Sequence, residues 1–292
     1  MYKIMTLNKK NLNEFRKLNE NNDHFNLLNM DFFKMYDNGS FTNKVFLRRR
    51  VKLLSYNFKY IGYIWCDANY SYRNVYTINA MNISNSINIE LIDPYKYIVN
   101  RLKKNSTFYY TCQNNGFNFN ILKNIGFETV DGTLILNLNL DHNIPIAIKE
   151  DINFDILKIG KDEKKRCLIQ NEIFKNNTRV PLSLDDIYFD EMQSYYLKKG
   201  AIFIKKRNTY IGYGQIILEE NVPIIVNFGI LKEYRGKGYS KCLLTYLLKI
   251  VICNGFNNVK IKVNNSNYIA LNLYKQMGFE IENERYKWKI KT

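Results

Sequence analysis

Histidine, proline and paired cysteines are scarce in this 292-residue chain. The two histidines, His24 and His142, have no cysteine or second histidine at ligand spacing, so no metal site is predicted. The five cysteines include no C-x-x-C pair, and their odd number favours a reduced, cytoplasmic setting over a disulfide framework. No apolar run reaches the roughly 18 residues of a membrane span, and the N-terminus has no signal-peptide core. We therefore expect neither secretion nor membrane insertion.

Basic residues outnumber acidic ones, and the formal net charge is +16. The excess is divided almost evenly between the two halves of the chain, whereas a dedicated nucleic-acid binder more often concentrates it in a stripe or tail. A surface of this charge attracts polyanions at low salt in any case. A solvated basic surface is therefore favoured over a nucleic-acid function, and a small molecule is the expected partner.

The length of the chain predicts two domains of about 140 residues each. The polar segment 141–145 contains a proline and separates two similar patterns, so the predicted domains are 1–140 and 146–292. In each half, the apolar periodicity predicts the element order β-α-α-β-β-β-α-β-α-β-β. The predicted fold class is α/β (α+β).

A glycine-rich turn joins a predicted strand to a predicted helix near residue 235. It reads Tyr-Arg-Gly-Lys-Gly-Tyr-Ser over 234–240, between a strand at 222–231 and a helix at 237–254. Arg235 and Lys237 add positive charge to the turn, and the predicted helix carries four leucines on one face: Leu243, Leu244, Leu247 and Leu248. In this order, unpaired amides and the positive end of the helix dipole converge on one point, which predicts an anion site. By itself, the turn is equally compatible with a plain surface loop.

Two segments carry a resemblance to a known family. Residues 230–241 resemble the acyl-CoA pyrophosphate loop of the GNAT acetyltransferases, R/Q-x-x-G-x-G/A, which is filled here by Arg235, Gly238 and Ser240. The serine departs from the Gly or Ala of the family's last position. Residues 267–279 match the second signature of the family, N-x-x-A-x-x-L-Y-x-x-x-G-F. Because the two signatures occur in the family's order and spacing, the resemblance predicts a GNAT fold.

The resemblance covers about residues 200–292 and implies a mixed, mainly antiparallel central sheet flanked by helices, acetyl-CoA as co-substrate and no metal. The strand that ends near Ile230 would splay from the next strand, and pantetheine would insert there and pair with main-chain groups of Ile230 and Leu231. A backbone N–H near 228–230 would polarise the thioester carbonyl, and the amides of 235–240 would hold the pyrophosphate. Tyr274 would protonate the departing thiolate, and Asn267 would contact the cofactor or a bound water. The implied cofactor-binding residues are Ile230, Leu231, Arg235, Gly236, Lys237, Gly238, Tyr239, Ser240 and Asn267.

The second signature also has a purely structural interpretation. It can form a helix whose Ala270, Leu273 and Tyr274 lie in the core and whose Gly278 is the C-cap. Both interpretations can hold together, because Ala270 and Leu273 are expected to pack whatever the role of the tyrosine.

The residues leave the general base open. At the mid-strand position where relatives often place a carboxylate, this chain has Asn227, which cannot accept a proton from an amine at neutral pH. We expect Asn227 to contact the acceptor instead. Four carboxylates are candidates, and each is expected to be an ordinary surface charge: Glu219, Glu220, Asp190 and Glu191.

The N-terminal half resembles a worn copy of the same pattern. Residues 119–127 resemble 271–279, with Leu122 in place of the tyrosine. The phosphate loop has no counterpart, because the corresponding segment 84–94 contains two acidic residues and neither arginine nor glycine. The predicted arrangement is two tandem GNAT-like domains, of which the first is degenerate, shapes the acceptor pocket and binds no coenzyme A. An unrelated α/β domain is the alternative.

The predicted activity is N-acetyl transfer from acetyl-CoA to the primary amine of a small or amino-acid-like molecule, by direct attack on the thioester. One alternative is a non-catalytic acyl-CoA-binding or regulatory module, suggested by Asn227 in place of an evident base and by Ser240 in the loop. A further hypothesis is an aminoacyl-transferring relative that acts near tRNA or the cell wall, suggested by the tandem organisation and the basic charge.

Overall fold

Helices and strands follow one another in a similar order twice along the chain. The computed structural model describes residues 1–84, 92–140, 149–176 and 179–292. The helices within them are α1 (Leu12–Asn19), α2 (Phe32–Tyr36), α3 (Phe41–Arg49), α4 (Ile92–Val99), α5 (Asn118–Asn124), α6 (Glu163–Ile173), α7 (Leu184–Glu191), α8 (Tyr239–Cys253) and α9 (Tyr268–Gln276), with a 3-10 turn at Lys232–Tyr234.

The strands of these same residues divide between two compact units of the chain, 1–133 with 283–292, and 134–282. They are β1 (Tyr2–Thr6), β2 (Val51–Tyr56), β3 (Lys59–Ala68), β4 (Val75–Ile83), β5 (Thr107–Gln113), β6 (Glu128–Asn139), β7 (Ile152–Ile156), β8 (Tyr196–Lys206), β9 (Thr209–Glu219), β10 (Val222–Ile230), β11 (Asn258–Asn264) and β12 (Glu280–Lys291). The mixed α/β fold class predicted from the sequence is confirmed.

The first unit is built on a sheet of order β1-β2-β3-β4-β5-β12. Neighbouring strands run antiparallel, except that β4 and β5 are parallel. Trp288 of β12 is fully buried in one core cluster with Tyr95 of α4 and Leu122 of α5. The helix α5 is followed by Gly126 at φ +96°, just as α9 of the other unit is followed by Gly278 at φ +90°. Only glycine adopts this left-handed conformation without strain, so the resemblance of 119–127 to 271–279 extends to the backbone.

The second unit is built on a sheet of order β6-β11-β10-β9-β8-β7, in which β10 and β11 are parallel. Side chains alternate between the two faces of this sheet along each strand, and a core cluster packs on each face. Ile202 and Ile204 of β8 pack in the core cluster that contains α8, whereas Phe203 packs in the cluster that contains α6. The apolar face predicted for α8 is confirmed, since its leucines are fully buried: Leu243, Leu244, Leu247 and Leu248.

The last strand of each half does not stay within the domain that was predicted from the sequence, 1–140 or 146–292. Each half was expected to close with two strands, but β6 and β12 are single strands of 12 residues. The first half also has three helices after β1 where two were expected, because Ser40 caps an additional helix, α3, by accepting from the amide of Asn43. The residues of β12 from 283 onward belong to the first unit, and those of β6 from 134 onward belong to the second. Alternate residues of β12, including Trp288, are apolar and fit the core of the first unit. The sixth strand of each sheet is thus supplied by the other half of the sequence.

Some sequence predictions fall on residues that are not described. The junction at 141–145 lies outside the described residues, as does most of the segment 84–94 in which the phosphate loop was expected to be missing. In the parts of the chain that are described, no helix is both long enough and apolar enough to cross a membrane.

Candidate active site

The site begins where β10 and β11 separate. These parallel strands pair only through Ile224 with Lys260 and Ile225 with Ile261. Beyond this point the register of β10 against β9 shifts between Val226 and Gly229, which marks a β-bulge. The splaying expected from the resemblance is therefore observed, and it leaves the end of β10 without a β11 partner.

The bulge has its own sequence requirements. Asn227 has φ +52°, a conformation that asparagine tolerates better than most residues. Gly229 has no space for a side chain, because a Cβ atom there would lie 2.3 Å from Cγ2 of Ile173, at the end of α6. Close packing of α6 against β10 thus depends on glycine at position 229.

The larger of two adjoining cavities, about 390 Å³ in volume, lies beside this open strand end. It is bounded by the end of β10, by the loop that leads into α8 and by one face of α9. Most of the predicted cofactor-binding residues line it: Ile230, Arg235, Gly236, Tyr239, Ser240 and Asn267. Three predicted residues, Leu231, Lys237 and Gly238, are not in its wall.

The loop at 235–240 has the geometry of an anion site. Gly236 and Gly238 have φ +73° and +81°, and α8 begins directly afterwards at Tyr239. The first amides of a helix have no carbonyl partner within that helix, so they are available to a ligand. The amide of Arg235 is an exception, because it donates to the carbonyl of Lys232 at 3.2 Å. The expected set of phosphate-binding amides is therefore reduced to 236–240.

The two cationic side chains of the loop hold the loop itself. The guanidinium of Arg235 donates from Nε to the carbonyl of Ile230 at 2.8 Å and from Nη2 to that of Ile173 at 2.9 Å. Lys237 donates from Nζ to the carbonyl of Glu233 at 3.0 Å. The role expected for both was charge toward the ligand, and the geometry adds a structural role: Arg235 fastens the turn to β10 and α6.

The predicted strand-like pairing of pantetheine with Ile230 and Leu231 is corrected for Leu231. Its amide donates to the carbonyl of Ile211 at 2.8 Å, and its carbonyl accepts from the amide of Tyr234 at 2.9 Å. Since successive residues of a strand direct their main-chain groups to opposite sides, Ile230 faces away from β9 and toward the cavity. With its carbonyl bonded to Arg235, Ile230 offers its N–H to a ligand.

Tyr274 lies in the wall of both cavities. It sits on α9, is only 5% exposed, and packs with its ring centroid 6.1 Å from that of Phe228. Burial alone raises the pKa of its hydroxyl well above the ordinary value. The phenol is therefore protonated at neutral pH, as a proton donor must be.

The structural interpretation of the second signature holds for Tyr274 and Gly278, whereas Ala270 and Leu273 of α9 are half-buried and line the larger cavity. Asn267 caps the helix, because its side chain accepts from the amide of Ala270 at 3.2 Å, which leaves the Nδ2 amide group directed elsewhere. Gly278 ends it with φ +90°, and the amide of Phe279 returns to the carbonyl of Tyr274 at 3.0 Å. The helix is thus fixed at both ends, which holds Tyr274 in place.

The smaller cavity, about 200 Å³, lies on the bulge side of β10. It shares four wall residues with the larger one, namely Phe174, Phe228, Asn267 and Tyr274. Its remaining polar lining consists of two cations and two amides, which are Arg179, Lys262, Asn227 and Asn264. Two cavities of different character therefore meet at the phenol.

Comparison with known proteins decides the family. Residues 170–279 match the family model described as Acetyltransferase (GNAT) family. The chain contains a GNAT domain. With this family goes acyltransferase activity, and the enzyme class predicted from the two signatures is confirmed.

Solved structures show that the GNAT-type fold extends over the whole chain. A GCN5-related N-acetyltransferase from Sphaerobacter thermophilus is 13% identical with a TM-score of 0.58, and the similarity covers 99% of this chain and 95% of that one. An acetyltransferase from the GNAT family of Colwellia psychrerythraea is 14% identical with a TM-score of 0.54, over 99% and 100% of the two chains. Among curated proteins, none matches the sequence significantly.

A buried polar network of the GNAT domain was not predicted. Arg166 of α6 is 2% exposed and donates from Nη2 to Asp190 at 2.5 Å and to Oε1 of Gln215 at 3.1 Å. Gln215 in turn donates from Nε2 to Asp190 at 3.1 Å. This pattern fixes the Gln215 carboxamide, because the reversed orientation would set its NH₂ against the guanidinium and its oxygen against the carboxylate.

The network reaches the smaller cavity through Asn227. The Nδ2 of Asn227 donates to Oε1 of Gln215 at 3.2 Å. Since Gln215 presents an oxygen, Asn227 must present its NH₂, and its own Oδ1 is left for other partners. A buried ion pair thus orients, through one glutamine, a side chain in the cavity wall. No pattern in the sequence indicated Arg166, which ends a run of charged residues, or Gln215, which stands alone in an apolar strand.

The four carboxylates considered as bases have other partners or positions. Glu219 pairs with Lys262 at 2.7 Å, and Glu220 lies in a hairpin turn with φ +50°. The expectation of a surface location is wrong for Asp190 and Glu191, which both face buried Arg166. Burial raises the pKa of Glu191, with Arg166 acting in the opposite direction. None of the four is in the wall of either cavity.

The described residues also contain no group of three or more histidine, cysteine, aspartate or glutamate side chains placed to hold a metal ion. The polar groups that line the two cavities are amides, the hydroxyls of serine and tyrosine side chains, and three cationic side chains, Arg179, Arg235 and Lys262.

Proposed function

We propose that the GNAT domain transfers an acetyl group from acetyl-CoA to the primary amine of a small, amino-acid-like acceptor by direct attack on the thioester. The observation that carries this proposal is the position of Tyr274, whose side chain lines both cavities at once. In this proposal, the larger cavity receives the acyl donor and the smaller cavity the acceptor amine.

The larger cavity suits the diphosphate and pantetheine parts of the coenzyme. At one end, the amides of 236–240 and the start of α8 favour a diphosphate. A side chain at Gly236 would meet nothing within 4 Å, so the turn is open on that side. Further along, the N–H of Ile230 can pair with an amide of pantetheine, as an added strand pairs with a sheet edge. When bound, the coenzyme supplies the activated acyl group as a thioester.

The residues at the meeting point of the cavities have complementary tasks. In this proposal, a backbone amide of the 228–230 segment polarises the thioester carbonyl. Tyr274, whose phenol is protonated at neutral pH, gives its proton to the leaving thiolate, and the proton that the attacking nitrogen loses as the amide forms returns through water to the phenolate. Asn227 presents Oδ1 to an N–H of the acceptor amine because Nδ2 is held by Gln215. Asn267 offers its remaining Nδ2 hydrogens to the donor or to a bound water.

Isothermal titration calorimetry and a thiol-release assay test this proposal. We expect coenzyme A to bind, and Gly238→Ala to weaken that binding, because alanine at φ +81° is strained by about 1–2 kcal/mol. We also expect release of free thiol from acetyl-CoA only when an amine is present. Acetyl-CoA binding without transfer to any of a broad panel of amines would instead favour a non-catalytic module. Absence of coenzyme A binding would refute the proposal.

A further inference from the structure

We propose that the acceptor carries an anionic group, a carboxylate or a phosphate, in addition to its amine, and that Arg179 binds this group in the smaller cavity. The inference rests on the acetyl transfer proposed above and specifies its substrate class. It follows from the charges that line the cavity and from the partners that those charges have.

The lining of the smaller cavity has charge of one sign only. Arg179 and Lys262 contribute cations, and the other polar groups come from asparagine side chains. Among the described residues, no carboxylate belongs to the lining. A cavity that selects a diamine or polyamine needs carboxylates for the second ammonium group, so this one disfavours such acceptors.

The two cations differ in their partners. The ammonium of Lys262 is compensated by Glu219, whose two oxygens lie 2.7 and 2.9 Å from Nζ. The guanidinium of Arg179 lies over the ring of Phe174, with its central carbon 4.7 Å from the ring centroid. In the described part of the chain no carboxylate is within ion-pair distance of Arg179. Arg179 is therefore the source of uncompensated charge in the cavity.

Arginine is also the suitable side chain chemically. Its planar fork donates two parallel hydrogen bonds to a carboxylate or phosphate, and stacking on Phe174 restricts the orientation of the guanidinium plane. Phe174 lies in the walls of both cavities. An anion held by Arg179 would thus be anchored beside the place where the two substrates meet.

The described wall of the smaller cavity contains no carboxylate base, so the acceptor must lose its proton before it attacks the thioester. The acceptor would then react as the neutral amine after releasing its proton to water. Asn227 would receive a remaining N–H at Oδ1 and orient the lone pair toward the thioester. Hence kcat/KM should rise with pH until the amine is deprotonated.

A matched panel of amines at constant ionic strength tests the inference, with thiol release as the readout. The panel comprises butylamine, 4-aminobutyrate, an α-amino acid, O-phosphoethanolamine and putrescine, and kcat/KM is referred to the neutral-amine form of each. We expect one or more of the anionic amines to exceed butylamine by about ten- to a hundredfold, the usual range for a charge-assisted hydrogen bond. Putrescine should be the poorest acceptor. Whether carboxylate or phosphate ranks first identifies the anion.

Variants separate recognition from catalysis. Arg179→Gln should abolish the preference for anionic amines by raising their KM, while kcat and acetyl-CoA affinity change little. Arg179→Lys should restore part of it. Lys175→Gln is the control, because this exposed lysine precedes the same loop, pairs with Glu172 and is absent from the lining.

The outcomes are distinguishable. Equal rates for anionic and uncharged amines, or a preference that survives Arg179→Gln, would overturn the inference and leave acetyl transfer intact. Loss of the preference in the Lys175→Gln control would assign it to general surface charge and overturn it as well. Failure of every amine in the presence of bound acetyl-CoA would refute the proposed function and this inference together.

Discussion

Replacing Tyr274 with phenylalanine is the sharpest single perturbation of the proposed chemistry. The change removes one oxygen atom at the place where both cavities meet. Within the described residues the hydroxyl has no hydrogen-bond partner whose loss would destabilise the fold, and the ring packing with Phe228 and Phe279 is retained. The free energy of unfolding should therefore change by no more than about 0.5 kcal/mol.

The expected effect on turnover is much larger. A positioned general acid contributes about 10²–10⁴-fold, which corresponds to about 2.7–5.4 kcal/mol of transition-state stabilisation. Because burial raises the pKa of Tyr274 well above its ordinary value, the phenol stays protonated in the folded enzyme across the neutral and mildly alkaline range. The deficit of Tyr274→Phe should therefore be nearly constant over that range.

Thiol release from acetyl-CoA in the presence of an amine measures kcat, and calorimetry measures the affinity for coenzyme A. Tyr246→Phe is the control, since the Tyr246 ring packs on Phe154 with a centroid separation of 4.1 Å and the residue lines neither cavity. We expect low kcat with unchanged coenzyme A affinity for Tyr274→Phe and near-normal kcat for the control. A kcat within twofold of the parent enzyme at every pH would remove Tyr274 from the mechanism.

Three further predictions concern the network and the exchanged strand. Arg166→Met leaves Asp190 uncompensated in a buried site, so chemical denaturation should show a free energy of unfolding that is lower by about 3–5 kcal/mol. This loss should diminish as the pH falls and carboxylates take up protons. A denaturant midpoint equal to that of the parent enzyme would contradict this prediction. Gln215→Leu frees the side chain of Asn227 and should raise the KM for the acceptor by about tenfold. The affinity for acetyl-CoA, measured by calorimetry, should stay constant. Equal changes in both quantities would indicate a general structural defect. Trp288→Ala removes a fully buried side chain and should lower the free energy of unfolding by about 3–5 kcal/mol. Amide hydrogen exchange should then become faster chiefly in residues 1–133. Faster exchange confined to residues 134–282 would refute the assignment of β12 to the first unit.

The part of the site that is local in sequence was predictable. The glycine-rich turn before α8 and the glycine after α9 depend on backbone conformations that glycine adopts within a few residues of chain. The leucine stripe of α8 depends on helical spacing alone. The two signatures therefore located the loop at 235–240 and Tyr274 without knowledge of the remainder of the chain.

Other features of the site were missed because they depend on strand direction and on distant partners. Main-chain groups alternate in direction along β10, and the bulge at Asn227 sets this alternation so that the amide of Leu231 points toward β9. Arg235 was predicted only as a cofactor ligand, and folding also brings two carbonyls to its guanidinium. Arg179, in a loop without a motif, acquires its proposed role only from the cavity around it.

By itself, the sequence determined the family resemblance, the loop, the phenol and most of the repeated order of elements, because short-range patterns of glycine, polar and apolar residues specify each of them. Only the tertiary structure decided which half of the chain completes which sheet. The apolar alternation of β12 does not by itself specify a sheet, and burial of Trp288 among residues of the first unit assigns the strand. Likewise, only folding brings Arg166, Asp190 and Gln215 together, because the attraction between buried charges acts through space and leaves no regular spacing along the chain.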